Sequence, residues 1–141
     1  MQKITPFLWF DNKAEEAMQF YVSIFKNSRI LGPMTFQIEG QEFFAFNGGP
    51  YFSFTQAISL FVNCESQEEV DELWDKLSEG GEKGQCGWLK DKYGLSWQVI
   101  PSILGKLMQD KDPQKSARVR KAMLQMGKIE IEGLKKAHDQ P

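Results

Sequence analysis

The sequence has few cysteines and a single histidine, which limits the chemistry it can carry. Its 141 residues include Cys64 and Cys86, which stand 22 positions apart, and His138, which lies close to the last residue. A disulfide framework or a zinc knuckle needs more thiols at closer spacing. We therefore interpret both cysteines as reduced thiols.

Long apolar runs and an excess of one charge are also absent. The first apolar run meets a carboxylate at Asp11, too early for a secretory signal, and no segment approaches the roughly 20 apolar residues of a membrane span. Seventeen basic and nineteen acidic residues leave a net charge of -2, which favours neither nucleic acid nor an anionic membrane as partner. We expect a cytoplasmic protein.

Aromatic residues, by contrast, are plentiful. The chain has 11 phenylalanines and 4 tryptophans, which is more than the ordinary composition of a soluble globular domain of this length. A chain of this length suits one compact domain. The surplus of rings indicates a wide aromatic core or a pocket lined by rings.

The first half of the chain has the order strand, helix, strands. Residues 3–10 are apolar and extended in character, and Asp11 or Asn12 is a suitable N-cap for a helix that ends near Lys26 or Asn27. Two further strands meet at a hairpin turn over residues 39–41.

The second half repeats this order. A strand over 57–64 precedes an amphipathic helix with Gly80 or Gly81 at its C-terminal cap, and residues 86–100 form a hairpin. Placing Glu15 on Glu68 aligns four further pairs: Phe7 with Leu60, Trp9 with Val62, Phe20 with Leu73, and Tyr21 with Trp74. An internal repeat predicts two similar units.

The chain becomes helical after Pro101. Asp112 and Pro113 read as the N-cap and first residue of a helix. Val119, Met123 and Met126 form an apolar stripe on it, which we expect to pack on its own chain or on a partner subunit.

Three segments carry a resemblance to a known family: "FDNKAEEAMQFYVSIF", "NGGP" and "CGWLKDKYGLSWQVIP". Together they resemble the vicinal oxygen chelate superfamily of glyoxalases, bleomycin-resistance proteins and dioxygenases. Within it they are similar to the PhnB-like branch, which often carries the label 3-demethylubiquinone-9 3-methyltransferase. The resemblance runs from about Lys3 to Pro101 and on into the C-terminal helices.

The resemblance implies an α+β fold of paired βαβββ modules whose curved mixed sheets form a cleft. The modules are expected at about 1–50 and 51–101, forming one domain over 1–101, and residues 102–141 are expected to form a helical extension. It also implies a homodimer. This branch usually has a longer loop near Leu31 and Gly32, so the loop is either shortened here or missing from the sequence.

The metalloenzymes of the superfamily bind one divalent ion through a His or Glu on the first strand and a Glu on the last strand of each module. The matching positions here are Pro6, Ala57 or Ser59, Gln98 and, near the end of the first module, Asn47. None is a histidine or a carboxylate, and neutral amides bind a hard cation weakly. We therefore predict no metal site and no cofactor.

The methyltransferase label finds no support in the glycine pattern. Enzymes of the common S-adenosylmethionine type place a glycine-rich turn between a strand and a helix. "NGGP" leads from one strand into another, and "EGGEKG" follows a helix. Both clusters are predicted to be turns.

Strand alternation predicts which residues line the cleft. Leu95, Trp97 and Val99 share the face that packs under the helices, while Ser96 and Gln98 share the other. The same reasoning assigns alternate residues of the first strand to the cleft. The predicted ligand pocket comprises Leu8, Phe10, Asn47, Trp88, Ser96 and Gln98.

The closing hairpin contains one weak catalytic candidate and one turn carboxylate. Cys86 is the candidate nucleophile, but no histidine lies near it in sequence to activate it. Asp91 lies at the turn and is expected to be solvated.

The function favoured by these patterns is metal-independent binding of a small molecule of unknown identity. One alternative is a glyoxalase-like, dioxygenase-like or methyltransferase-labelled enzyme that acts on a small apolar or aromatic substrate. Another is a dimeric interaction module whose cleft is filled by its own rings. Whether the protein is an enzyme stays open.

Overall fold

The computed structural model describes residues 2–140 and divides them into two compact units, 2–54 and 55–140. The first unit has the order β1 (Phe7–Phe10), α1 (Ala14–Ile24), β2 (Ser28–Gly32), β3 (Thr35–Ile38) and β4 (Gln41–Asn47). The second has β5 (Leu60–Cys64), α2 (Gln67–Ser78), β6 (Glu82–Lys83), β7 (Trp88–Lys90) and β8 (Ser96–Pro101), followed by α3 (Ser102–Met108), α4 (Pro113–Leu124) and α5 (Ile131–Asp139).

Each unit contains one four-stranded mixed sheet, and the two sheets have the same topology. The strand order is β1-β4-β3-β2 in the first unit and β5-β8-β7-β6 in the second. In both, the first strand pairs in parallel with the last, and the other pairs are antiparallel. The predicted α+β class with two βαβββ modules is confirmed. The prediction that both modules form one domain stays a prediction.

The helix of the first unit covers one face of its sheet through aromatic packing. Tyr21 of α1 stacks on Phe36 of β3 at 5.9 Å, and Phe36 stacks on Phe43 of β4 at 5.2 Å. All three side chains are buried. These rings form the hydrophobic core that fixes α1 on the sheet.

The two modules align at a different offset in the strands than in the helices. Phe43 and Ala45 are the buried residues under the helix in β4, and Trp97 and Val99 are their buried counterparts in β8, so the strands match 54 positions apart. The fully buried Ala17 and Val70 of the helices match at 53. The sequence alignment used one offset for both, and it is wrong by one residue in the strands, because the link to α2 is one residue shorter.

The turn between β7 and β8 is organised by a buried carboxylate. Asp91 is only 2% exposed, and it accepts hydrogen bonds from the backbone N–H groups of Tyr93 and Leu95 and from the indole N–H of Trp97. The expectation that Asp91 is solvated is therefore wrong. A buried carboxylate is tolerated here because its oxygens are satisfied by donors.

The two helices of the modules begin with different caps. Ser66 accepts a hydrogen bond from the N–H of Glu69, as a local N-cap does. At α1 neither Asp11 nor Asn12 fills this role. The side chain of Asn47, from the end of β4, accepts from the N–H of Ala14 at 2.8 Å.

The C-terminal helices pack on the second module. Val119 is buried in one cluster with Ile100, Leu104, Ile129 and Leu134. Met123 and Met126 pack against this cluster, so the predicted apolar stripe packs on its own chain. The predicted N-cap Asp112 and first residue Pro113 of α4 are confirmed.

A single side chain joins the start of α2 to the start of α5. The amide of Gln67 donates to the carbonyl of Ile129 and accepts from the N–H of Ile131. Beside it, the ammonium of Lys128 lies 2.9 Å from a carboxylate oxygen of Asp71. The extension is therefore fixed to its module by polar as well as apolar contacts.

The segment near Leu31 and Gly32 is continuous strand. Both residues belong to β2, and a two-residue turn at Pro33 and Met34 leads into β3. The connection in this structure is therefore short. No helix among residues 2–140 combines the length and apolarity needed to cross a membrane.

Candidate functional site

Each sheet has one face that the helix of its own module covers and one that it does not, which we call the open face. In the first unit, Phe36 and Phe43 mark the covered face because Phe36 stacks on Tyr21 of α1 and Phe43 stacks on Phe36. Side chains alternate along a strand and lateral neighbours share a face. The register therefore assigns every strand residue to one face or the other.

The open face of the first sheet is aromatic. Phe7 lies in register with Phe44, and Trp9 with Phe46. The ring centroid of Phe7 lies 5.9 Å from that of Phe44 and 5.5 Å from that of Phe46. The ring centroid of Phe46 lies 5.3 Å from that of Trp9. Phe52, from the loop after β4, adds a fifth ring 4.8 Å from Trp9. We call these five residues the aromatic platform.

The indole of Trp9 is held in place from two sides. Its Nε1 donates a hydrogen bond to the carbonyl of Gly49 at 3.0 Å. A Cβ atom at Gly48 would lie 2.1 Å from the indole ring, so only glycine fits there. The "NGGP" segment is therefore a seat for Trp9, which gives the aromatic platform a fixed geometry.

The aromatic platform remains accessible to a ligand in the described chain. Phe7 is 54% exposed and Phe52 67% exposed. Beside Phe7 and Phe44, a shallow groove of about 360 Å³ is completed by Pro33, Met34 and Thr35. Isolated exposed rings are common on proteins, but a contiguous apolar surface is typical of protein interaction sites and ligand-binding grooves.

The face predicted for the first strand is wrong. Leu8 lies in register with the buried Ala45, on the covered face, and Phe10 shares that face by alternation. Phe7 and Trp9 occupy the open face instead. The membership of Leu8 and Phe10 in a ligand pocket stays a prediction, now without the orientation that motivated it.

Asn47 serves the fold rather than matching Gln98. Its side-chain oxygen caps α1 at Ala14, and its register places it opposite Phe10. At the strand offset of 54, Asn47 corresponds to Pro101, while Gln98 corresponds to Phe44. The assignment of Asn47 as the counterpart of Gln98 is therefore corrected.

The open face of the second sheet is more polar. Phe61, Gln98 and Trp88 lie side by side in adjacent strands, and Ser96 shares their face two residues before Gln98. Gln98 donates to the hydroxyl of Ser59 at 3.0 Å. The predicted separation of Gln98 from Trp97 and Val99 agrees with their burial, because Gln98 is half-buried and the other two are buried.

Ser96 is the one buried polar side chain of this face whose side-chain atom has no hydrogen-bond partner in the described chain. Its Oγ is buried and makes no hydrogen bond among residues 2–140. An unsatisfied buried hydroxyl costs free energy until a donor or acceptor reaches it. The role of Trp88, Ser96 and Gln98 as ligand contacts stays a prediction.

The family-type metal positions do not fit a divalent ion. Gln98 already uses its amide N–H on Ser59, and Pro6 offers no side-chain ligand. Among residues 2–140, no three His, Cys, Asp or Glu side chains are grouped as a metal site requires. Neutral amides without a carboxylate beside them bind a hard cation weakly, and the corresponding positions supply no carboxylate.

The two thiols have different surroundings. Cys64 is fully buried at the end of β5, and burial, with Glu69 and Glu65 nearby, raises the pKa of its thiol to about 12. Cys86 is half-buried, and its Sγ donates to the carbonyl of Met123. Both thiols belong to the second unit, and neither lies beside His138 in any described contact.

The aromatic platform escaped the sequence reasoning for a local reason. The strand "FLWF" is apolar at all four positions, so alternation does not reveal its buried face. A usable signal lay in "EFFAFN", where the small Ala45 separates Phe44 from Phe46 and implies that these two rings share a face.

Comparison with known proteins places this architecture among characterised folds. A sequence profile described as 3-demethylubiquinone-9 3-methyltransferase matches residues 2–35 and 32–100. A solved structure from Bacillus cereus, described as PhnB and as a candidate 3-demethylubiquinone-9 3-methyltransferase, is 40% identical over 72% of this chain and 100% of its own, with a TM-score of 0.66.

A second solved structure supports the fold alone. Protein PA1353 from Pseudomonas aeruginosa is 19% identical, with a TM-score of 0.58 over 72% of this chain and 98% of its own. No curated protein matches the chain.

Proposed function

The chain belongs to the 3-demethylubiquinone-9 3-methyltransferase family, in its PhnB-like branch, and from that premise we propose that it binds a small, flat, apolar molecule without a metal ion. The observation that carries the proposal is the aromatic platform on the open face of the first sheet. Five rings linked in a chain by four ring contacts, two of them more than half exposed, form an aromatic surface of the kind that lines ligand sites.

The geometry of the rings supports a planar ligand. The contacts of Trp9 with Phe46 and Phe52 are edge-to-face, at interplanar angles of 68° and 77°. A further ring that stacks on such a surface gains about 0.5 to 1.5 kcal/mol per aromatic pair beyond its buried area. Because Trp9 is already fixed by Gly48 and Gly49, little side-chain freedom is lost on binding.

The charges of the same face support an uncharged ligand. Arg29 and Glu42 lie on the open face through their register with Gln37. Their charges are opposite, so the face offers no net attraction to an ion of either sign. A neutral aromatic or alicyclic compound suits it better than a phosphate or a carboxylate.

The composition of the family-type metal positions supports metal independence. Gln98 is neutral and bonded to Ser59, while the equivalent position in the first sheet is Phe44. We propose binding without catalysis. The candidate nucleophile Cys86 contacts Met123 in the second unit, whereas the aromatic platform belongs to the first. An enzymatic role has no observation of its own in its favour.

The resemblance also supports a homodimer, which we propose as the form that binds. The competing hypothesis is an interaction module in which a second copy covers the aromatic platform permanently. In that case the rings would be protected in the dimer and a small probe would not compete. Sedimentation velocity with and without probe distinguishes the two hypotheses. If a second copy covers the rings, the probe can reach them only after the dimer dissociates.

The first test exchanges equivalent residues between the two open faces. Equilibrium dialysis measures the affinity of the neutral probe 2-naphthol for the wild type, for Phe44→Gln and for Gln98→Phe. We expect Phe44→Gln to weaken binding about tenfold, which corresponds to about 1.4 kcal/mol. Gln98→Phe serves as the control for a change of side chain at the same strand position in the other unit.

Unchanged affinity in Phe44→Gln, with native circular dichroism, would contradict the proposal. Native mass spectrometry of the purified protein provides an independent test, because a retained compound released on denaturation should be neutral and contain at least one ring. Retention of a stoichiometric divalent ion would instead show that metal independence is wrong.

A further inference from the structure

The last helix ends in a small polar cluster that the proposed function does not use. His138 of α5 places Nε2 2.7 Å from Oδ2 of Asp110 and Nδ1 3.0 Å from Oδ1 of Asp139. Asp110 belongs to the turn between α3 and α4. The side chain of His138 is 16% exposed and that of Asp110 29%, so the contact is partly shielded from water.

The same helix end is held from a second direction. The guanidinium of Arg118, on α4, donates from Nε to the carbonyl of Ala137 and from a terminal nitrogen to the carbonyl of His138, both at 2.9 Å. The last carbonyls of a helix lack partners within the helix, and a cation there also complements the helix dipole. The end of α5 is thus fastened to α4 and to the turn before it.

The geometry favours the protonated imidazole. Both ring nitrogens of His138 face a carboxylate oxygen, and only the imidazolium can donate hydrogen bonds from both nitrogens at once. The neutral ring donates from one nitrogen and turns a lone pair toward the other carboxylate. Two cations of α4 lie near the ring. Arg118 donates its hydrogen bonds to backbone carbonyls, while Lys115 repels the charged imidazolium.

We propose that His138 and Asp110 form a pH-sensitive latch that holds the C-terminal end of α5 against the turn between α3 and α4. With the imidazole protonated, the latch is closed. When the proton is lost, the end of α5 opens more often and exposes the apolar cluster that contains Leu134 and Ile129.

The sign of the pH dependence follows from both partners. Hydrogen bonds to Asp139 and Asp110 raise the pKa of His138, so its contribution is complete below the ordinary histidine value and is lost as pH rises through the raised one. The backbone N–H of Asp112, followed by His138, lowers the pKa of Asp110. Its contribution is present above the ordinary aspartate value and is lost as pH falls through the lowered one. The latch is therefore tightest in mildly acidic solution.

Hydrogen exchange of the peptide covering 131–139 tests the latch. The wild type and His138→Gln are compared at matched pH between 6 and 9, so that the intrinsic pH dependence of exchange cancels. We expect α5 of the wild type to exchange roughly twofold to fivefold more slowly than the variant at pH 6, the factor of an ordinary exposed ion pair. The ratio should approach one at pH 9.

Two further variants separate the latch from a general charge effect. Asp110→Asn should abolish the pH-dependent part of the ratio, whereas Lys136→Gln, an exposed change on the same helix, should preserve it. A wild-type to His138→Gln ratio that is constant across pH overturns the proposal, as does loss of the pH dependence in Lys136→Gln.

The single histidine provides a second readout by NMR. Its imidazole resonance is unambiguous because the chain contains one histidine. We expect its titration midpoint to fall in Asp110→Asn. An unchanged midpoint would show that the carboxylate does not hold the ring, and would overturn the latch even if the exchange data were affected by local unfolding.

Discussion

The two modules share one topology and differ in what they place on their open faces. At the strand offset of 54, Phe7 corresponds to Phe61, and both are 54% exposed. The neighbouring positions diverge: Trp9 corresponds to Asn63, Phe44 to Gln98, and Phe46 to Ile100. One sheet therefore carries a continuous set of rings, and the other carries two rings, Phe61 and Trp88, separated by Gln98.

The difference extends to what covers each face. By strand alternation Ile100 belongs to the face of Gln98, yet it is buried in the cluster of the C-terminal helices. Its counterpart Phe46 remains part of the aromatic platform. The helical extension thus uses the end of one open face for stability. The comparison shows that a duplicated scaffold can use part of one open face for packing and leave rings exposed on the other.

The modules also differ in which residue caps the first turn of the helix and in how the turn of the last hairpin is stabilised. Asn47 caps α1 from a distant strand, while Ser66 caps α2 locally. The β7–β8 turn depends on buried Asp91, and the β3–β4 turn uses Glu39 and Gly40, both at positive φ. These differences yield tests of unequal size.

The largest contrast is expected in thiol reactivity. Cys64 occupies the position of Phe10 in the first module. At pH 8 its raised pKa of about 12 leaves about a thousandfold less thiolate than an ordinary thiol has. Thiolate is the form that reacts with alkylating reagents. Iodoacetamide should therefore modify Cys86 in the native protein and leave Cys64 unmodified. The variant Cys64→Ala should react like the wild type. Comparable modification of both thiols before unfolding would break the equivalence with the buried Phe10.

The second contrast concerns the two hairpin turns. Asp91→Ala removes the acceptor for two backbone N–H groups and for the Trp97 indole, and we expect a loss of about 3 to 5 kcal/mol in the free energy of unfolding. Gln41→Ala, an exposed change beside the β3–β4 turn, should stay within about 0.5 kcal/mol.

Urea denaturation followed by circular dichroism measures both variants of this pair. If Asp91→Ala does not fold, Asp91→Asn replaces it in the comparison. Asp91→Asn retains one acceptor oxygen, so its loss in the free energy of unfolding should be smaller than the loss of about 3 to 5 kcal/mol expected for Asp91→Ala. Equal stabilities of Asp91→Ala and the wild type would show that the buried carboxylate is not what holds the second hairpin.

The third contrast compares the two caps. Asn47→Ala and Ser66→Ala each remove one side-chain acceptor at a helix start, and each should cost about 1 kcal/mol. Asp11→Ala, at the position that the sequence favoured for a cap, should change the free energy of unfolding by less than about 0.5 kcal/mol. A larger loss in Asp11→Ala than in Asn47→Ala would restore the local cap at α1.

The sequence predicts the order of elements well because periodicity and turn residues act locally. The helix start at Asp112 and Pro113, the turn at Glu39 and Gly40, and the alternation around Gln98 are all readable from neighbouring residues. The cap from Asn47 and the burial of Asp91 depend on the tertiary fold and not on neighbours alone. The face of β1 is unreadable because its four residues are all apolar.

The most direct test of the aromatic platform uses the two equally exposed phenylalanines. Phe7 touches Phe44 and Phe46, whereas Phe61 has no ring contact in the described chain. Equilibrium dialysis of 2-naphthol against Phe7→Ala and Phe61→Ala should give about a tenfold loss of affinity for the first and less than about a twofold loss for the second. Equal losses in the two variants, or none in Phe7→Ala, would contradict the proposal that the first open face holds the ligand.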